Sequence, residues 1–354
     1  MGAGLNRQPR HPSSAPDLAI TQDQSGYDDL RHDHDGGSAA AMQVITVSQF
    51  GDPEVLKLGE APMPQPGPGE VLVRVLAAGV GPWDATLRRG GYTGSLPYVP
   101  GGEFAGEVVG DTGADASFDD GSPVYGYPGL TGCYAQYLTC PVEQLAPIPA
   151  ELSAADAAAV PIDALTAHQG LTDVLGVGPG DQVLITAGAG GLGHLAVQIA
   201  RILGAEVVAT ASPQNHEFLH RLGAAVVIDH TKPDWPDQVR DVTDGGAAQV
   251  LACAAPTLDG AARATRDGGT VATPVHGDAL GGDRIRWQQY DGDASGTRLV
   301  RMGPWFDNES LTVNVQERFY WQDAARAHEM VERGHTQGKI VLIVDDDLAA
   351  ALEV

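Results

Sequence analysis

The chain has 354 residues, 43% of them hydrophobic, which is enough for two domains that each bury a core. Its 46 acidic residues outnumber 21 basic ones, and the net charge of −25 repels nucleic-acid phosphates and anionic lipid surfaces. Neither nucleic acid nor membrane is an expected partner, so a small-molecule substrate is expected. Three cysteines (Cys133, Cys140, Cys253) with no CxxC spacing write neither a disulfide framework nor a cysteine-based zinc lobe. The beginning of the chain lacks the apolar core of a signal peptide, and no run reaches the ~18 apolar residues of a membrane span. A soluble, cytoplasmic protein is the expectation.

Residues 1–41 mix Pro, Ser, Gly, Asp and His without apolar periodicity, a composition read as a disordered tail. The alternative is a regulatory or targeting arm. His32 and His34, interleaved with Asp33 and Asp35, are read as solvated low complexity rather than a metal site. From Met42, the stretch MQVITVSQFGDPEVLKLGEAP predicts two strands around a turn at Gly51, Asp52 and Pro53. EVLVRVLAAGV and EFAGEVVG add further strands of a compact, mostly β domain. After Leu152 the pattern becomes strand and helix in alternation. Ser153 is a predicted N-cap with Asp156 three residues on, and a helix is expected from about Asp163 to near Gly176. QVLITA (182–187), HLAVQIARILG (194–204) and EVVATA (206–211) then read as strand, helix and strand, a βαβ crossover. VVIDH, AQVLACAA and TVATPV continue the alternation, predicting a doubly wound parallel sheet that closes near residue 294. One well-patterned helix, QDAARAHEMVERG, and the strand KIVLIV end the chain.

The chemistry starts in the turn of that crossover. GAGGLG places Gly188, Gly190 and Gly193 at GxGxxG spacing, with Ala189, Gly191 and Leu192 between them. Glycines there permit a tight turn and close approach of a pyrophosphate, and the helix N-terminus offers free amides; strand, turn and helix together point to dinucleotide binding. An acid at the end of the second strand would bind the ribose 2′-hydroxyl and repel a 2′-phosphate. Here the stretch reads Thr210, Ala211, Ser212, Pro213, Gln214, Asn215, with no acid before Glu217, which favours NADPH. Ser212 and Asn215 either donate to phosphate oxygens or cap the next helix.

The run over residues 132–229, including CYAQYLTCPVEQLAPIP, AAAVPIDALTAHQGL, the glycine turn and ASPQNHEFLHRLGAAVVID, resembles the quinone oxidoreductase branch of the medium-chain dehydrogenase/reductase superfamily. The likeness extends out to FGDPEVLKLGEAPMPQPGPGEVLVRVLAAGV and AHEMVERGHTQGKIVLIV. It implies a GroES-like β domain built from both ends of the chain (42–164 and 295–354) around a Rossmann domain (165–294), and a homodimer joined through the cofactor domain. It also implies that Thr166, Lys339 and the loop at Val275 and His276 line the cofactor. Read from the residues alone, Thr166 is equally a helix-internal Thr and Lys339 a surface Lys.

Zinc-dependent relatives of that superfamily carry a Cys and a His where this chain has Gly81 and Gly102, and glycine has no side chain to ligate metal. No metal is expected at these positions. Related quinone reductases show an Asn and a Tyr where Gly81 and Thr86 stand, whereas Asp84 and Arg88 match. Asp84 is expected to hold its loop by accepting backbone amides, and Trp83, Tyr92, Tyr98 and Tyr125 are expected to shape the pocket. Tyr92 is the candidate proton donor; otherwise it is a lid residue and water supplies the proton. The expected function is reduction of a quinone or an α,β-unsaturated carbonyl compound by NADPH. Two others stay open: a non-catalytic NADPH-binding protein, and a reductase acting in trans on carrier-bound enoyl thioesters.

Overall fold

A computed structural model describes residues 40–91, 95–110 and 118–354. Its first elements, β1 (Ala41–Val47) and β2 (Leu56–Pro62), pair antiparallel as expected, although Ala41, assigned to the tail, already belongs to β1. The rest of the tail, and the histidines in it, lie outside the described residues.

The first lobe is built on β3 (Glu70–Val80). Its leading half buries every second residue, and its last four residues are all buried because neighbouring strands and helices cover both faces. Helix α1 (Pro82–Arg88) follows, with proline at the position where no amide partner is needed. Then come β4 (Phe104–Val109), β5 (Pro123–Gly126), β6 (Tyr137–Pro141) and β7 (Leu145–Pro147). Helix α2 (Ala154–Ala157) starts on the predicted cap: Ser153 Oγ accepts the Asp156 amide at 3.1 Å. Helix α3 (Pro161–Gln169) begins earlier than expected, because Pro161 fits a first turn, and it ends earlier too, giving way to a π-type turn over Gly170–Val174.

The second lobe alternates β8 (Gln182–Thr186), α4 (Gly191–Ile202), β9 (Glu206–Ala211), α5 (His216–Leu222), β10 (Val226–Asp229), α6 (Trp235–Val242), β11 (Ala247–Ala252), α7 (Leu258–Ala264), β12 (Thr265–Thr273) and β13 (Arg286–Gln289). The strand order β10-β9-β8-β11-β12-β13, parallel throughout, is the doubly wound Rossmann arrangement. Helix α4 buries Leu195, Val197 and Ile199 completely, each contributing about 1.5–3 kcal/mol.

Helix α8 (Gly296–Asp307) leads back to the first lobe, where β14 (Val315–Tyr320), α9 (Ala324–Arg333), β15 (Lys339–Ile343) and α10 (Asp346–Leu352) complete it. Its sheet runs β14-β15-β3-β4-β5-β7, with β6 also on β3. Strands from before (β3–β7) and after (β14, β15) the Rossmann lobe therefore build one GroES-like sheet, with β1 and β2 paired separately. The two lobes touch at the glycine turn, where the Gly338 amide donates to the Ala189 carbonyl at 2.8 Å.

Candidate active site

The switch in strand order lies between β8 and β11, and the carboxyl ends of the strands around it define a crevice. Beyond β8, Ala187 takes a left-handed φ of +50°, a conformation that costs energy for a residue with a Cβ. Thr210, at the end of β9, holds it: its Oγ1 accepts the Ala187 amide at 3.2 Å, and its carbonyl accepts the Gly188 amide at 2.8 Å. A Cβ on Gly193 would lie 2.2 Å from the Ala187 carbonyl oxygen, so α4 can close on the turn only with glycine there. At Gly190 a Cβ would meet nothing nearer than 3.5 Å, which leaves the backbone open to a ligand beside the N-terminus of α4. These features fit a pyrophosphate.

Gly188 to Gly190 follow β8 and Gly191 to Gly193 open α4, Thr210 and Ser212 stand at the end of β9, and Val275 beyond β12 donates its amide to Thr273 Oγ1 at 3.1 Å. Neither Ser212 nor Asn215 caps a helix with its side chain, so the capping alternative falls. Ser212 is buried, while Asn215 Oδ1 accepts from Gln337 Nε2 at 2.9 Å, tying β9's end to the first lobe. Thr166 is buried on α3, its hydroxyl 2.6 Å from where a Cβ on Gly292 would stand.

Lys339 is not a surface residue. Its side chain is 2% exposed, and Nζ donates to Glu103 Oε1 at 2.6 Å and Asp163 Oδ2 at 2.7 Å. Burial works against its charge, but the two carboxylates outweigh burial and raise its pKa, so the ammonium is held charged. Glu103 also accepts the Ile162 amide at 2.8 Å; burial pushes its carboxyl up, against the pull of Lys339. The triad abuts the glycine turn: a Cβ on Gly191 would fall 2.6 Å from Asp163 Oδ2 and 3.0 Å from Lys339 Cδ. Glu103 and Asp163 were not singled out from sequence. The signal that could have found them is a carboxylate inside an apolar run, as in PGGEFAG and AAAVPIDAL.

His194 was missed as well. Buried in the first turn of α4, it donates from Nδ1 to the Gly191 carbonyl at 2.7 Å and accepts the Asn314 amide at Nε2 at 3.2 Å. That pairing suits only the neutral ring, and burial lowers its pKa accordingly.

Asp84 does what its position suggested. Buried in the first turn of α1, it accepts the Gly81 amide at 2.8 Å and the Gly101 amide at 3.2 Å, and burial raises its pKa to about 7. Arg88 is buried against Glu332. Tyr98 is half-buried near both, and burial with the Asp84 charge pushes its phenol up to about 12. Tyr125, expected at the pocket, is instead fully buried in the core on β5, so it shapes no accessible wall. Tyr92 lies outside the described residues.

The space beside the two glycines that stand where relatives carry metal ligands is filled by neighbouring side chains. A Cβ on Gly81 would lie 2.2 Å from Trp83 Cη2, and one on Gly102 would lie 2.9 Å from Ile162 Cδ1 and 3.0 Å from the Gly129 carbonyl oxygen. Among the described residues no group of three His, Cys, Asp or Glu side chains is arranged to hold a metal ion.

Residues 67–150 match the family described as alcohol dehydrogenase GroES-like domain, and residues 191–274 the family described as zinc-binding dehydrogenase. The chain is 35% identical over 209 residues to the chloroplastic quinone-oxidoreductase homologue of Spinacia oleracea, 56% of this chain and 64% of that protein, so the match spans less than two thirds of that relative. It is 30% identical over 317 residues to the chloroplastic NADPH-dependent alkenal/one oxidoreductase of Arabidopsis thaliana, covering 85% and 79%. The solved quinone oxidoreductase of Coxiella burnetii superposes with a TM-score of 0.77 at 29% identity, and a mycobacterial protein complexed with NADPH with 0.76 at 31%. Each comparison covers 86% of this chain and 100% of the other. Two lobes meeting at a dinucleotide turn define an oxidoreductase with a nicotinamide cofactor. The chain belongs to the medium-chain dehydrogenase/reductase superfamily, in its quinone-oxidoreductase-like branch.

Proposed function

We propose that the protein is an NADPH-dependent reductase that works without zinc, delivering hydride to a quinone or an α,β-unsaturated carbonyl compound. The observation that carries this reading is glycine at positions 81 and 102, with the Trp83 ring and the Ile162 side chain filling the space beside them. With glycine there no side chain ligates a metal at these positions, so the acceptor is one already activated by conjugation. The lack of an acid between Thr210 and Asn215 supports NADPH, and the glycine turn, Thr166, Val275 and the Lys339 triad would hold it. The names of the spinach, Arabidopsis and Coxiella relatives support the acceptor class.

The test is NADPH oxidation by the full chain against quinones, enones, enals and enoyl thioesters, before and after exhaustive chelation. Turnover of a quinone or enone that chelation leaves intact is expected. Activity lost to EDTA and restored by zinc would refute the zinc-free reading. NADPH binding with no acceptor turned over would favour a binding protein, and turnover of thioesters alone a carrier-dependent reductase. We further propose a cytoplasmic homodimer joined through the outer strand β13, for which light scattering should give twice the 36.8 kDa chain mass. No described helix is long and apolar enough to cross a membrane.

A further inference from the structure

The indole of Trp83 combines three properties. First, its Cη2, Cζ2 and Cε2 atoms lie 2.2, 2.3 and 2.5 Å from where a Cβ on Gly81 would stand, so the ring occupies the space into which a side chain at position 81 would project. Second, Nε1, bonded to Cε2 and therefore on that same edge, is buried with no hydrogen-bond partner. An indole N–H can only donate, and a buried donor left without an acceptor is costly. Third, Lys339 Nζ stands 4.9 Å from the ring centroid, and Lys339 itself packs on Gly191 of the dinucleotide turn. The ring is thus one side chain away from the cofactor crevice, and the ammonium above it withdraws electron density and strengthens the N–H as a donor.

We propose that Trp83 Nε1 is the hydrogen-bond donor to the carbonyl oxygen of the acceptor, so that an indole holds that oxygen on the side where relatives place a metal. This deepens, and rests on, the reductase reading above. In the reaction the acceptor's β-carbon receives a hydride from the reduced nicotinamide, its carbonyl oxygen takes up the charge, and a solvent proton completes the α-carbon. One enone, one NADPH and one proton give one saturated ketone and one NADP⁺. A preorganised donor shielded from water is most effective where charge develops, and that is the role assigned to Trp83 Nε1.

The assignment is tested with 2-cyclohexenone, in two arms. With NADP⁺ bound no hydride can move, so binding is seen alone. The indole N–H resonances of the five tryptophans are followed in ¹⁵N-labelled full-length protein, that of Trp83 assigned from Trp83→Phe. The Trp83 proton is expected to move downfield as 2-cyclohexenone saturates while the other four stay; a stationary Trp83 proton at saturation overturns the proposal. In the turnover arm, Trp83→Phe keeps an aromatic ring and removes the donor. It is expected to lower kcat on the order of 10²-fold, with the NADPH Kd and Tm unchanged. An unchanged kcat, or a loss matched by weaker NADPH binding and a lower Tm, overturns it. If the Trp83 proton responds but no acceptor is reduced, the reductase reading fails and the donor assignment stands. If acceptors are reduced equally with and without the indole, the reverse holds.

Discussion

At the level of single residues, the first lobe is braced beside the glycine turn by charges that water does not reach. Removing the Lys339 ammonium leaves Glu103 and Asp163 facing each other unpaired, and breaking a buried pair in this way typically costs about 3–5 kcal/mol. Lys339→Ala should therefore lower stability by that amount in urea denaturation; a loss under about 1 kcal/mol would mean that water reaches and solvates the carboxylates. A second buried group makes the protein sensitive to acid. Burial, with Arg88 nearby, lowers the His328 pKa from 6.5 to about 3. The unfolded chain then binds a proton at this ring between those values and the native one does not, so the ring's contribution is present above pH 6.5 and is lost as the pH falls towards 3. Asp84, raised from 3.8 to about 7, works in the opposite direction, its contribution fading as the pH rises through that window. Comparing the wild type with His328→Leu cancels the Asp84 part. The stability of the wild type relative to that variant should drop by about 1.4 kcal/mol per pH unit between pH 6 and 4. A pH-independent difference would show that His328 is hydrated.

At the level of elements, what was legible in the sequence was local. Period-two and helical patterns, the Ser153 cap, the glycine turn and the bond from the Gly81 amide to Asp84 all depend on residues within a few positions of one another. The burial of Lys339 was not legible, because its partner Glu103 is 236 residues away and nothing in GKIVL distinguishes a surface lysine from an interior one. Tyr125 misled for the same reason: alternation places it on one face of β5 without saying that both faces are covered. The π-type turn over Gly170–Val174 escaped because its composition continues the helical pattern of α3. The end of β9 allows a test of its own. Ser212 follows Ala211 directly, where a carboxylate would meet the adenosine ribose. NADPH should bind more tightly than NADH, and Ser212→Asp should reverse that order, measured as Kd for both by fluorescence titration. Equal affinities in the unsubstituted protein would refute it. No arginine or lysine accompanies Ser212 and Asn215, so the starting discrimination should be moderate.

At the level of the whole molecule, the net charge of −25 is a standing repulsion that folding concentrates into a smaller volume. Raising ionic strength from 0.05 to 0.5 M shortens the Debye length from roughly 14 to 4 Å and should raise the Tm. A falling Tm would mean that exposed ion pairs such as Arg221 with Glu217 contribute more than the repulsion. The placement of β15 has a further consequence for how the chain is made. This strand lies between β14 and β3, and the residue before it is bonded to the glycine turn. A ribosome that has released everything up to residue 338 has therefore produced a finished Rossmann lobe beside a β3 whose backbone still lacks its neighbour. Such an open edge is a template for pairing with another nascent chain. The last sixteen residues close it, so early termination should yield aggregates rather than a weakened enzyme.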